Sequence, residues 1–267
     1  MNLRAFSSGF GAVAERPPIE AKGSKPAGIG MDTPGTRSRD RDHAATIRRM
    51  LLELGDPPRR SFQDGDTVRP AGEPRNAVFV VESGWMFSAR FLPDGRRQVL
   101  EIWLPGQIVG LGEYGLDRPL SALHALGGIE VREIGWNAVR ERLCASDDFS
   151  DHFTTLVARE RLVLEERLTS LGRRDAAERL GHFLLEMHHR LRPPADRFRL
   201  PVTQTFLADL LGLTSVHISR MLSQLRDDGL VEMNDQGVHL IDIETLRNAC
   251  DFDPAYLGLE PICDDAD

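Results

Sequence analysis

PVTQTFLADLLGLTSVHISRMLSQLRDDGLVEM, residues 201–233, is the stretch whose reading decides the architecture. Thr203 stands where a side-chain oxygen can cap a helix, and Phe206, Leu207 and Leu210 form the apolar face that follows. Gly212 supplies the sharp turn that two steeply crossing helices need. Thr214 caps a second helix, whose inward residues are Val216 or Ile218, then Met221, Leu222 and Leu225, and Asp227-Asp228-Gly229 ends it. Next, LVEM and VHLI flank Asn234-Asp235-Gln236-Gly237, and alternating apolar residues around such a turn read as a hairpin. The sum is a winged helix-turn-helix. A second helix of this kind presents its first turns to base edges in the major groove of DNA. Ser215, His217, Ser219 and Arg220 fill its outward places. Short polar residues there allow close approach, and an Arg one or two turns in can reach guanine O6 and N7 together.

Working towards the N-terminus, RRDAAERLGHFLLEMHHRL (173–191) is an amphipathic helix stopped by Pro193-Pro194. It carries His182, Glu186 and His189 at i, i+4 and i+7, a spacing that could face a metal. A solvated helix face is the simpler reading. Before it, DHFTTLVARERLVLEERLTSL (151–171) repeats Phe153, Leu156, Val157, Val163, Leu164, Leu168 and Leu171 at spacings of three, four and seven, beside a heavily charged face. A long helix with such a seam suits pairing with a copy of itself, and part of it can also pack on its own barrel.

Residues 43–144 change period. After a helix from His43 to Leu54, ended by Gly55-Asp56-Pro57-Pro58, short strands follow one another with glycine turns. AVFVVESGWMFSARFL reads as two strands folded about Ser83-Gly84, and LPDGRRQVLEIW as a hairpin around Pro93-Asp94-Gly95. Strands at this spacing mean a sandwich or small barrel, with Trp85, Trp103 and Trp136 as core aromatics. WNAVRERLCA (136–145) is a short helix. Residues 1–42, with 6 Gly and 4 Pro and no period, read as a disordered tail in which Met31 is an alternative start. Residues 250–267 read as a C-terminal tail.

The expected fold is therefore α+β: a sensor barrel over residues 43–144, a dimerisation helix over 145–172 and a winged helix-turn-helix over 173–249. At 267 residues the chain is long enough for two domains, each burying its own core. Its longest apolar runs fall far short of the roughly 20 residues that span a bilayer, and no secretion signal heads it. These features point to a cytoplasmic protein with no membrane partner. Cys144, Cys250 and Cys263 are too few and too far apart for a disulfide framework or a thiolate metal site. Net charge is −8, and residues 173–249 hold 10 Arg against 11 Asp and Glu. Composition thus gives no support to nucleic-acid binding; position must carry it.

TQTFLADLLGLTSVHISRMLSQLRDDGLV, together with the hairpins of residues 72–110, closely resembles the Crp/Fnr family of bacterial transcription regulators over about residues 45–249. The resemblance implies a cyclic-nucleotide-binding-like jelly roll, a homodimer joined through the long helix, and a two-fold double-stranded DNA site. It puts phosphate contacts on Thr203, Gln204 and Thr214, and base reading on Ser215, Val216, Ser219 and Arg220. Many members carry a glutamate where Val216 stands, which leaves the half-site open. Transcription regulation further implies contact with RNA polymerase. The cyclic-nucleotide members hold the phosphate with a G-E-L stretch and an Arg-Ser or Arg-Thr pair. Here the stretch is GLGEYG and Leu120 precedes Ser121, with Glu113 and Arg118 displaced. The oxygen-sensing members need cysteines near the N-terminus, and none precedes Cys144. His124 is the one barrel histidine, too little for haem or for a metal-dependent jelly-roll enzyme. The implied protein has no cofactor, no metal and no catalytic residue, and is nearest to FixK-type regulators.

Overall fold

In a computed structural model of the chain, residues 43–55, 57–234 and 237–258 are described. The expected N-terminal tail with Met31, the end of the C-terminal tail with Cys263, and the wing-turn residues Asp235 and Gln236 lie outside them.

Helix α1 (His43–Leu52) leads into an antiparallel sheet of β1 (Arg59–Phe62), β2 (Thr67–Arg69), β3 (Ala77–Phe91), β4 (Arg97–Trp103), β5 (Ile108–Val109) and β6 (Ala122–Gly135). The strand order is β1-β6-β3-β4, with β2 on β6 and β5 on β3. The continuous apolar run at the start of β3 is explained by two cores. Val78 and Val80 point to one that includes Ile47, Trp136 and Phe149. Ala77, Phe79 and Val81 point to the other, with Met86, Trp103 and Val131. Alternate residues of a strand face opposite ways, so burial on both faces removes the polar half of the pattern.

The Ser83-Gly84 turn expected within this segment is instead a bulge in one 15-residue strand. Pairing with β6 shifts register at Ser83 and again at Trp85. Gly84 takes φ of 71°, and a Cβ there would fall on the Gly128 carbonyl oxygen and 2.7 Å from Ile129 Cγ2. Glycine lets the strand bend against its neighbour without leaving the sheet.

Helices α2 (Trp136–Ala145), α3 (Asp147–Arg173) and α4 (Ala176–Leu191) follow. Ser146 caps α3 and Asp175 caps α4 in a reciprocal capping box with Glu178. The remainder is β7 (Arg197–Phe198), α5 (Gln204–Leu211), α6 (Ser215–Asp227), β8 (Val231–Asn234), β9 (Gly237–Leu240) and α7 (Ile243–Ala249). The wing is a three-stranded sheet ordered β7-β9-β8; the two-residue β7 left no pattern in the sequence.

Beyond the cores that the sheet buries with its own helices, the two parts of the chain share one. Trp85, Phe87, Ala89, Val99 and Ile102 of the sheet share one buried cluster with α4, α5 and α6. Phe87 meets Phe206 edge to face, with ring centroids 5.0 Å apart.

The C-terminal tail is corrected as well, as far as Gly258. Cys250, Phe252 and Leu257 are buried in that same cluster, and Phe252 lies edge-on to His182 at 5.0 Å. Three apolar or aromatic groups in eight residues gain more from burial than from water.

Nor is the His182–Glu186 side of α4 a solvated face. His182 is 3 % exposed and Glu186 4 %. Glu186 accepts from Arg167 Nη2 at 3.1 Å, Arg190 Nη1 at 3.0 Å and the Tyr256 hydroxyl at 3.2 Å. Arg190 also donates to the Ile102 carbonyl at 2.5 Å and to Gln107 at 3.0 Å. Burial alone would push the Glu186 carboxyl up, but the two guanidinium groups outweigh it and hold it below the ordinary carboxylate range. No group of three His, Cys, Asp or Glu able to hold a metal occurs among the described residues.

Candidate nucleic-acid interface

Thr203 Oγ1 accepts from the Phe206 amide at 3.1 Å, and Thr214 Oγ1 from the His217 amide at 3.2 Å. Each satisfies one of the amides that the first turn of a helix leaves without a partner. Between them Gly212 takes φ of 64°, the left-handed conformation that ends α5. Its amide donates back to the Ala208 carbonyl. These contacts are local, so the residue types alone determine them.

The buried face of α5 is Phe206, Leu207, Ala208, Leu210 and Leu211. On α6 it is Ile218, Leu222 and Leu225, at helical spacing. Of the two residues offered for the first inward place, Ile218 takes it and Val216 is 59 % exposed. Ser215, His217, Ser219 and Arg220 share the exposed side with Val216, and Thr203, Gln204 and Thr214 are exposed too. All eight residues are thus exposed on α5, α6 and their caps.

Part of the acidic charge in this part of the chain is committed locally. Asp175, Glu178 and Asp242 cap helices, Asp209 pairs with Arg97, and Glu186 is buried in its ion network. By contrast, the Arg220, Arg226 and Arg199 guanidinium groups have no hydrogen bond or ion pair among the described residues. Between α6 and the wing lies a concavity of about 610 Å³, lined by Arg199, Gln204, Ser219, Ser223, Arg226 and Asn234 among others. Sequence reasoning passed over Arg199, Ser223 and Arg226. The exposed stripe Ser215, Ser219, Ser223, Arg226 at helical spacing was the available signal for the last two.

The long helix divides its seam. Phe153 is 5 % exposed and belongs to the core around Trp136 and Phe149, with Leu156 and Val157 packed against it. Phe153 as a dimer-contact residue is therefore corrected: its ring is used within its own chain. Val163 packs on the larger core, and Leu171 touches the turn at Gly212. Leu164 and Leu168 are different, at 46 % and 71 % exposed, with Leu162 also exposed beside them.

In the sensor part, Glu113 forms a two-armed ion pair with Arg69, one arm at 2.5 Å. Leu120 points outward at 67 % exposed, and Arg118 donates to the Gly72 carbonyl at 2.9 Å. The cavity beside Glu113 is lined by Ser88, Glu101, Trp103, Ser121 and Glu160 as well. A cyclic phosphate needs a fixed, uncommitted cation. The lining has two further carboxyls and, at its rim, Arg161, which is paired with Glu165 at 2.7 Å. These residues do not fit that ligand.

A sheet of this type followed by a winged helix-turn-helix defines a DNA-binding transcription regulator. The Crp-like helix-turn-helix domain matches residues 178–249 and the cyclic nucleotide-binding domain matches residues 59–145. The chain is 29 % identical over 184 residues to the nitrogen fixation regulation protein FixK of Bradyrhizobium diazoefficiens, covering 68 % of this chain and 77 % of that one. It is 28 % identical over 189 residues to the transcriptional activator protein Anr of Pseudomonas aeruginosa, covering 68 % and 76 %. The solved structure of FixK2 from Bradyrhizobium japonicum superposes with a TM-score of 0.68 at 29 % identity, covering 72 % of this chain and 96 % of that one. The chain belongs to the Crp/Fnr family of transcription regulators. No helix among the described residues is long and apolar enough to cross a membrane.

Proposed function

We propose that this regulator acts as a homodimer on a two-fold symmetric DNA site, each subunit laying α6 in the major groove. In this reading Arg220 and Ser219 read bases with Ser215, Val216 and His217. Thr203, Gln204 and Thr214 hold phosphates, and Arg199 and Arg226 add to them from the concavity beside the wing. The observation that carries it is Arg220: an exposed guanidinium with no ion partner among the described residues, one and a half turns into the helix. Residues 43–144 then act as sensor, 145–172 as dimerisation helix and 173–249 as DNA-binding domain, extended by the folded segment to Gly258.

Leu164 and Leu168 support the dimer, because two exposed leucines four residues apart on a long helix lose their hydration on pairing with a copy. The committed Arg69, the outward Leu120 and the acidic lining support a FixK-like regulator that needs no cyclic nucleotide. The relatives named as activators support a productive contact with RNA polymerase. Selection of bound sequences from random duplex DNA, using the purified full chain without added nucleotide, tests the reading. Enrichment of an inverted repeat with half-sites about 10–10.5 base pairs apart is expected. Recovery of no common sequence would overturn it.

A further inference from the structure

The cavity beside Glu113, whose lining does not fit a phosphate, is acidic in character. It measures about 270 Å³, and an adjoining concavity of about 160 Å³ shares Glu101, Trp103 and Glu160 with it. Glu113 is committed to Arg69. Glu160, from α3, accepts the Gly112 amide at 2.8 Å through Oε2 alone. Glu101, from β4, is 8 % exposed, lines both spaces, and has no hydrogen bond or ion pair among the described residues. A buried carboxyl without a donor is costly, and this one faces a space rather than a packed wall. Arg190 and Arg159 line the adjoining concavity, but Arg190 donates to Glu186, the Ile102 carbonyl and Gln107, and Arg159 is engaged too.

We propose that this cavity between β4 and α3 binds a small organic cation bearing a primary ammonium or guanidinium group, held by Glu101 and Glu160. The hydroxyls of Ser88 and Ser121 supply further acceptors for its N–H groups, and the Trp103 indole supplies an aromatic wall, which attracts cations. The apolar residues of the adjoining concavity, Leu156 and Val163, take a short hydrocarbon chain. A ligand held by both carboxyls would tie the sheet to the long helix.

Protonation behaviour agrees. Burial pushes the Glu101 carboxyl up to about 7, against the pull of Arg190 and Arg167 and with the push of Glu186. Burial also raises Glu160 well above the ordinary range, Glu101 adding to it and the Gly112 amide opposing. A bound cation favours the ionised form of both, so its binding near pH 7 should release protons.

Calorimetric titration of the full chain near pH 7, in two buffers of different ionisation enthalpy, tests this with n-butylammonium and agmatine as probes. 1-Butanol and butyrate are the neutral and anionic counterparts. At least one cation should bind saturably, about tenfold or more tighter than 1-butanol, with proton release. Glu101→Gln and Glu160→Gln should each weaken it about tenfold, the loss of one charge-assisted hydrogen bond. Glu141→Gln, on the exposed face of α2 and away from the cavity, should leave it unchanged. If neither cation outbinds 1-butanol, or both cavity variants bind like wild type, the proposal fails. Should Glu101→Gln not fold, Glu160→Gln and the proton release decide. DNA selection is a separate readout, so failure here leaves the DNA reading standing.

Discussion

Arg97 on β4 and Asp209 on α5 are joined across the sheet and the helix-turn-helix, with Asp209 Oδ2 taking Nε at 2.9 Å and Nη2 at 2.7 Å. The guanidinium also lies over the Phe87 and Phe206 rings, at 5.6 and 5.8 Å. Beside it, Gln98 Nε2 donates to the Leu210 carbonyl at 3.1 Å. Charge, stacking and a hydrogen bond thus hold the first helix of the DNA-reading unit to the sensor sheet. A double-mutant cycle with Arg97→Ala and Asp209→Ala should give a coupling of about 1 kcal/mol in unfolding free energy. Hydrogen exchange in α5 should speed up in either variant. Additive effects would mean that the pair is incidental to the junction.

Arg220→Ala is expected to cost about 1–3 kcal/mol of discrimination per half-site and to relax preference at one base pair in each half, symmetrically. Thr203→Ala, which on the proposed reading removes a phosphate contact, should weaken all sequences alike. Competitive binding to wild-type and altered sites separates the two. A uniform loss for Arg220→Ala would reassign that residue to the phosphate backbone.

Leu164→Lys with Leu168→Lys should yield monomers in analytical ultracentrifugation and remove DNA binding, while leaving the fold intact because both side chains are exposed in the single chain. Phe153→Ala should behave differently. It should destabilise the chain by about 3–5 kcal/mol, the usual result of emptying a core aromatic site, and should not act first on dimerisation. Dimers persisting in the double lysine variant would place the self-contact on another surface.

Burial and the neighbouring Arg174 push the His182 imidazole down to about 4, although Glu186 and Glu166 pull the other way. Glu166 lies 3.1 Å from Nε2, but Arg174 already neutralises it at 2.6 Å. The unfolded chain binds this proton at the ordinary histidine value of about 6.5, the folded chain only near 4. Stability from the neutral ring is therefore complete above 6.5 and lost as pH falls through that window, by about 3 kcal/mol. Glu101 works in the opposite sense over a neighbouring range, so the variant comparison matters more than the raw curve. Urea unfolding at pH 7.5 and 4.5 should show a smaller fall for His182→Gln than for wild type.

What the sequence makes legible is what short-range chemistry decides. Thr203, Gly212 and Thr214 act on backbone within four residues, so their types and spacing suffice. The same holds for the hairpin at Pro93-Asp94-Gly95. Ser83-Gly84 carries an equally strong turn signal, yet whether a glycine reverses a strand or bends it depends on Gly128 and Ile129 across the sheet. His182 and Glu186 look like solvent-facing polar residues until Arg167, Tyr256 and Phe252 arrive from other elements. Phe153 and Leu168 lie on one periodic seam, and only the packing of α1 and α2 against α3 tells which is covered. On the DNA-facing side the outward residues follow from the caps, while Arg199 enters from a loop with no periodicity to place it.

The buried carboxylate of Glu186 is addressed by guanidinium groups from two helices, one of which also grips the sheet, and by a hydroxyl from the C-terminal turn. Loss of either guanidinium halves the positive charge facing a buried carboxylate, so the parts of the chain share a single fault line. In a genetic screen this predicts a particular harvest. Alleles that abolish promoter recognition should map to Arg167 and Arg190, far from any base. Second-site changes at Glu186 should not rescue them, because removing the carboxylate strands the guanidinium that remains.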